Sequence, residues 1–169
     1  MGSPNPEHTE AIINTINSGP YFKLLSMMIR DIGDGYSLFE IDIADKHLHL
    51  FNGVHGGVFS SIIDSAAGWA IYYGIKVENA GLTTVDLKLN FLAPAASGKI
   101  IARGHQIKTG KVLGYADCQV TKESGRLLAH GTVTMKILPR DTPLFGSFLP
   151  SLSISKDYGY PVTRPYHST

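Results

Sequence analysis

Apolar residues along this chain follow two rhythms: six short runs alternate with polar neighbours, and one longer stretch keeps helical spacing. The first runs cover Leu25 to Arg30 and Tyr36 to Ile43. In the second of these, Phe39, Ile41 and Ile43 alternate with Leu38, Glu40 and Asp42, the pattern of a strand with one buried face. Gly33-Asp34-Gly35 between them predicts a hairpin turn. Further on, Val85, Leu87, Leu89 and Phe91 alternate with Thr84, Asp86, Lys88 and Asn90. A run holding Ile101 and Ile107 ends at Thr109-Gly110. Val112, Ala116, Cys118 and Val120 then alternate with Leu113, Tyr115, Asp117 and Gln119, and Leu127, Ala129, Val133, Met135 and Ile137 complete the set. Gly110 and Ser124-Gly125 stand where tight turns are needed, so consecutive strands are expected to be antiparallel neighbours in a meander.

The helical stretch runs from Val58 to Tyr73, with Val58, Ile62, Ala66, Ala70 and Ile71 in step and Gly74 as its stop. Ala67, Gly68 and Trp69 leave so little polar surface that most of its sides must be buried. A curled antiparallel sheet wrapped around one apolar helix buries it, which predicts an α+β domain. Pro6 and Glu7 open a short N-terminal helix through Ala11, Ile12 and Ile16, ended by Gly19-Pro20. The expected organisation is a helical segment over 1–20, the sheet-and-helix domain over 21–138, and an irregular Pro- and Tyr-bearing tail over 139–169.

Charge adds little to this picture: a formal net charge of +1 gives no basic footprint of the kind nucleic-acid binding requires. The single cysteine, Cys118, excludes an internal disulfide framework and fits a reducing, cytoplasmic setting. The polar N-terminus lacks a secretory core, and Gly, Ser and Asp break every apolar stretch, so neither secretion nor a membrane span is expected.

The chemistry concentrates between His47 and Ala70. Gly56 and Gly57 open the buried helix, where bare backbone and unpaired N-terminal amides let a ligand approach and stabilise a developing oxyanion. Asp64 lies two turns into a helix otherwise built of Val, Ile, Ala and Gly. Such a carboxylate is paired, hydrogen-bonded or protonated, and suits a general base or nucleophile tuned by apolar surroundings. His55 precedes the glycines, and either ties the loop or moves a proton. His47, His49 and His55 lack a carboxylate or Cys at metal-ligand spacing, so they are read as capping or solvated, with no metal. Cys118 reads as core, and Ser60, Ser61 and Ser65 as helix-surface hydroxyls without the strained elbow of a serine hydrolase.

The segment His55-Gly-Gly-Val-Phe-Ser-Ser-Ile-Ile-Asp64-Ser-Ala resembles the signature of hotdog-fold thioesterases of the phenylacetyl-CoA thioesterase (PaaI-like) branch. Gly81-Leu-Thr-Thr-Val-Asp-Leu-Lys-Leu-Asn-Phe-Leu-Ala-Pro94 resembles that family's second block, and Lys108-Thr-Gly-Lys111 and Gly125-Arg-Leu-Leu-Ala-His130 fit its later strands. The resemblance implies hydrolysis of an acyl-CoA thioester in a homo-oligomer, a dimer or dimer of dimers, with sites at the subunit interface and no cofactor. It implies Asp64 as catalytic base or nucleophile, Gly57 as oxyanion donor through its amide, His55 as an orienting group, and Thr84 as a hydroxyl reaching Asp64 from the other subunit. Gly110, Lys111 and Val112 would hold the nucleotide end of CoA, while Asn52, Gly56 and Phe91 would contact substrate. His49 stands where some relatives carry an asparagine. A non-catalytic acyl-CoA-binding hotdog module is the alternative, and a hotdog dehydratase or hydratase a second.

Overall fold

The computed structural model describes residues 6–75 and 81–138, so the expected tail over 139–169 lies outside the described residues. At its centre is helix α3, Gly56–Gly74, which buries Val58, Phe59, Ile62, Ile63, Ala66, Ala67, Ala70, Ile71 and Tyr73. Around it curls one antiparallel sheet of β1 (Met27–Gly33), β2 (Tyr36–Asp42), β3 (Gly81–Phe91), β4 (Lys99–Thr109), β5 (Leu113–Lys122) and β6 (Leu127–Leu138). Gly35, at φ +72°, closes the β1–β2 turn in a region that favours glycine. None of the helices among the described residues is long and apolar enough to cross a membrane.

The strand order is β1-β2-β4-β5-β6-β3, which corrects the expected simple meander. β3 pairs with β6 from Gly81↔Leu138 to Phe91↔Ala129, and β4 pairs with β2 rather than with β3. Alternation marks the face a strand buries; it carries no information on which strand lies beside it. Three apolar residues expected in the core are instead exposed: Val85 (60%), Ile107 (63%) and Leu127 (39%). Each lies at a shift of register, between Thr84 and Asp86, between Gln106 and Lys108, and at the Thr121–Leu127 pair. One extra residue in a strand reverses the facing of those around it, so alternation misleads where a bulge occurs. Phe91 and Val112 are likewise exposed, Phe91 at the end of the edge strand β3 and Val112 in the turn before β5.

The N-terminal helix is present as α1, Pro6–Asn17, but Gly19-Pro20 does more than end it. Pro20 opens a second helix, α2 (Pro20–Leu25), where its fixed φ suits the first turn. The first strand therefore begins at Met27 rather than Leu25.

Helix and sheet meet closely at Ala66. Ser37 Oγ, fully buried on β2, donates to the Ala66 carbonyl at 2.6 Å. A Cβ on Gly104 of β4 would stand 2.3 Å from the same oxygen. Cys118, cross-strand partner of Gly104, is fully buried, and its thiol pKa is pushed up by burial and by Asp117.

Candidate active site

One face of α3 escapes full burial. Gly57, Ser61, Asp64, Ser65, Gly68, Trp69 and Tyr72 recur three or four residues apart and form a stripe that is exposed at Gly57 and half-buried beyond it. The stripe is small and polar at its start and aromatic at its end, where the Trp69 and Tyr72 rings meet edge-on at 5.2 Å. Asp64 is its carboxylate. Desolvation raises its pKa above the ordinary 3.8, and a hydrogen bond from Thr84 partly offsets the rise.

That bond, Thr84 Oγ1 to Asp64 Oδ1 at 2.8 Å, lies within one chain. The resemblance implied that this hydroxyl comes from the other subunit. β3 packs beside α3, and the shift of register after Thr84 falls where this hydroxyl meets the helix. A hydroxyl donor holds the carboxylate in one orientation and favours its charged form. Thr84→Ala leaves burial unopposed, so the Asp64 carboxyl should titrate at higher pH and lose its fixed orientation, both read by carboxyl NMR. Thr84→Ser keeps both near wild type.

His55 is the N-cap of α3: its Nδ1 accepts the Gly57 N–H at 2.9 Å. The amide expected to serve as oxyanion donor is thus already hydrogen-bonded, and the imidazole lies over the place a side chain at position 57 would fill. With Nδ1 accepting, the ring proton of neutral His55 sits on Nε2. His55→Ala removes the cap and should cost about 1 kcal/mol, read as a lower urea midpoint, whereas His55→Asn retains most of it. His47 and His49 accept backbone amides in the same manner. Ala44 N–H donates to His47 Nδ1 at 2.9 Å, leaving His47 Nε2 to donate to the Leu25 carbonyl at 2.7 Å, and Phe51 N–H donates to His49 Nδ1 at 3.1 Å.

Known proteins share this fold. Residues 51–129 match the thioesterase superfamily. A thioesterase from Haemophilus influenzae superposes with a TM-score of 0.75 at 20% identity, over 85% of this chain and 99% of that one. The domain has the hotdog fold. A hypothetical thioesterase protein from Streptococcus pneumoniae, solved with coenzyme A, gives a TM-score of 0.64 at 17% identity, over 72% of this chain and 93% of its own. A Caenorhabditis elegans protein named as a candidate esterase is 28% identical over 102 residues, 59% of either chain. Another from Halobacterium salinarum is 31% identical over 100 residues, 57% of this chain and 66% of its own. The match therefore spans less than two thirds of either relative's length.

Within the hotdog domain the other expected contacts divide. Phe91 reaches the helix start, its ring 3.3 Å from where a Gly56 Cβ would stand and 6.1 Å between centroids from Phe59. Asn52, at φ 60°, shapes the loop before α3, its N–H bonded to the His49 carbonyl. Gly110, Lys111 and Val112 are not gathered with Asp64. Their turn precedes Gly114, which packs on Ile71 in the last part of α3, about 10 Å along the axis from Asp64. The Gly110 amide is bonded to the Leu113 carbonyl, leaving the exposed Lys111 as the turn's charge. The sequence reading missed Tyr21, whose hydroxyl lies 2.6 Å from Ser61 Oγ on the Asp64 stripe. Only the spacing of Ser61 between Gly57 and Asp64 hinted at it.

Proposed function

We propose that this hotdog domain hydrolyses acyl-CoA thioesters to a free acid and CoA. The observation that carries the reading is Asp64: a half-buried carboxylate with a raised pKa, oriented by Thr84, on the same open stripe as the glycine-opened start of α3. In this scheme the helix start polarises the thioester carbonyl. Asp64 either takes a proton from water as it attacks or attacks the carbonyl itself, the thiolate leaves, and water supplies the hydroxyl of the acid. The thioesterase-superfamily match and the coenzyme A held by the Streptococcus pneumoniae neighbour support an acyl-CoA substrate of the kind the PaaI-like motifs imply. Lys111 is the proposed contact for the CoA phosphates, and the cytoplasm the proposed compartment. The working form is proposed to be a homo-oligomer in which a second copy brings its turn to the first copy's stripe. Exposed Leu50, Phe51, Val85, Phe91 and Leu92 give such a contact its apolar surface.

The test is thiol release from a panel of short, medium, long and aryl acyl-CoAs. Turnover on at least one establishes the activity. Thermal stabilisation by CoA thioesters without turnover replaces it with an acyl-CoA-binding module.

A further inference from the structure

Opposite edges of the sheet approach the Asp64 stripe. From the β3 edge come Thr84, at Asp64, and Phe91, at Gly56. From the β1 edge comes α2, which leads into that strand and has no buried residue of its own. Lys46 Nζ pins α2 by donating to the Leu24 carbonyl and to Ser26 Oγ, each at 2.7 Å. Tyr21 projects from it to Ser61, about 6 Å along the helix axis from Gly57 and about 4.5 Å from Asp64.

The direction of that contact follows from the next one. Ser61 Oγ gives its hydrogen to the Gly57 carbonyl at 2.8 Å, so in the 2.6 Å contact the Tyr21 hydroxyl is the donor. The phenol is held at its tip while the residue stays 52% exposed. An anchored aromatic plane stands beside the floor that runs from the helix start to the carboxylate. Between Gly57 and Asp64 that floor carries the small side chain of Ser61, while the His55 ring stands over Gly57 and the Met135 side chain covers Gly68 further along.

We propose that Tyr21 is a substrate-contacting, specificity-determining residue that walls the acyl side of the site and favours short or aromatic acyl groups over long chains. The proposal rests on the thioesterase reading. The ring gives a flat apolar contact to the first carbons beyond the carbonyl, and its tie to Ser61 prevents it from swinging aside for a longer chain.

The experiment compares wild type, Tyr21→Phe and Tyr21→Ala on benzoyl-CoA, hexanoyl-CoA and dodecanoyl-CoA. It also measures binding of S-benzyl-CoA and S-dodecyl-CoA, thioethers that cannot be hydrolysed. Tyr21→Ala should raise the dodecanoyl-to-benzoyl ratio of kcat/KM about tenfold, chiefly through KM, with a parallel change in thioether affinities. Tyr21→Phe, which frees the ring but keeps it, should fall between. Equal ratios in wild type and Tyr21→Ala overturn the wall while leaving the hydrolase standing. Tyr21-dependent thioether preference without turnover overturns the hydrolase and keeps the wall. Absence of both turnover and thioether binding overturns the two together.

Discussion

Asp64→Asn should lower kcat by about a thousandfold, the range a positioned acid–base group supplies, without loss of acyl-CoA affinity. It should also leave the fold at least as stable as wild type at neutral pH. Burial raises the folded pKa of Asp64 above its unfolded value. Stability therefore falls as pH climbs from the unfolded pKa through the folded one, and the deficit persists at every higher pH. Asparagine carries no charge and keeps an oxygen to accept from Thr84, so the deficit disappears. Below the ordinary carboxylate value of 3.8, where aspartate is protonated in both states, variant and wild type should converge. Activity should mirror this, with wild-type kcat/KM rising with pH through a value above 3.8. Stopped-time thiol release and urea titrations at several pH values check both arms. Wild-type turnover in the variant would remove Asp64 from the chemistry, and a lower midpoint at neutral pH would show the charge to be stabilising.

The largest expected effect on stability lies at Gly104→Val. The added Cβ would fall 2.3 Å from the Ala66 carbonyl oxygen and 2.5 Å from its carbon, and both atoms belong to backbone in the middle of α3. A side-chain neighbour can turn away, but a helix backbone can only be displaced. Displacement stretches the Ser37–Ala66 hydrogen bond and opens the packing of Ile62, Ile63 and Ala67. Overpacking of cores costs about 1–3 kcal/mol, and a backbone obstacle puts this substitution at the upper end or beyond it. A chain of this length should lose on the order of 10 °C in Tm. A shift of only a degree or two would mean that helix and sheet have more clearance than the distances allow.

Much of the site was legible because its chemistry is local in sequence. His55, Gly56, Gly57 and Asp64 fall within one turn-to-helix segment, and an isolated carboxylate in an apolar helix stands out without any knowledge of the fold. Contacts made across the fold were harder to read. Thr84 pairs with Asp64 inside one chain because β3 lies against α3, and strand alternation gives no such adjacency. Val85, Ile107 and Leu127 were misplaced for one reason: a bulge changes parity without leaving a mark in the pattern of apolar residues. The Gly57 amide looked free because helix starts leave donors unpaired, yet the residue two places earlier carries an acceptor that reaches it. Tyr21 escaped notice because it is exposed on α2, and exposed aromatics are ordinary until a partner is seen.

Cys118 gives the molecule a clock. It is the only thiol in the chain and is shut inside the sheet with a raised pKa, so a thiol reagent finds no thiolate to attack until the strands part. In the native state the protein therefore contributes no background to an assay that counts released CoA. The rate at which added reagent does label Cys118 then reports how often the sheet opens, in the same cuvette and without any engineered probe.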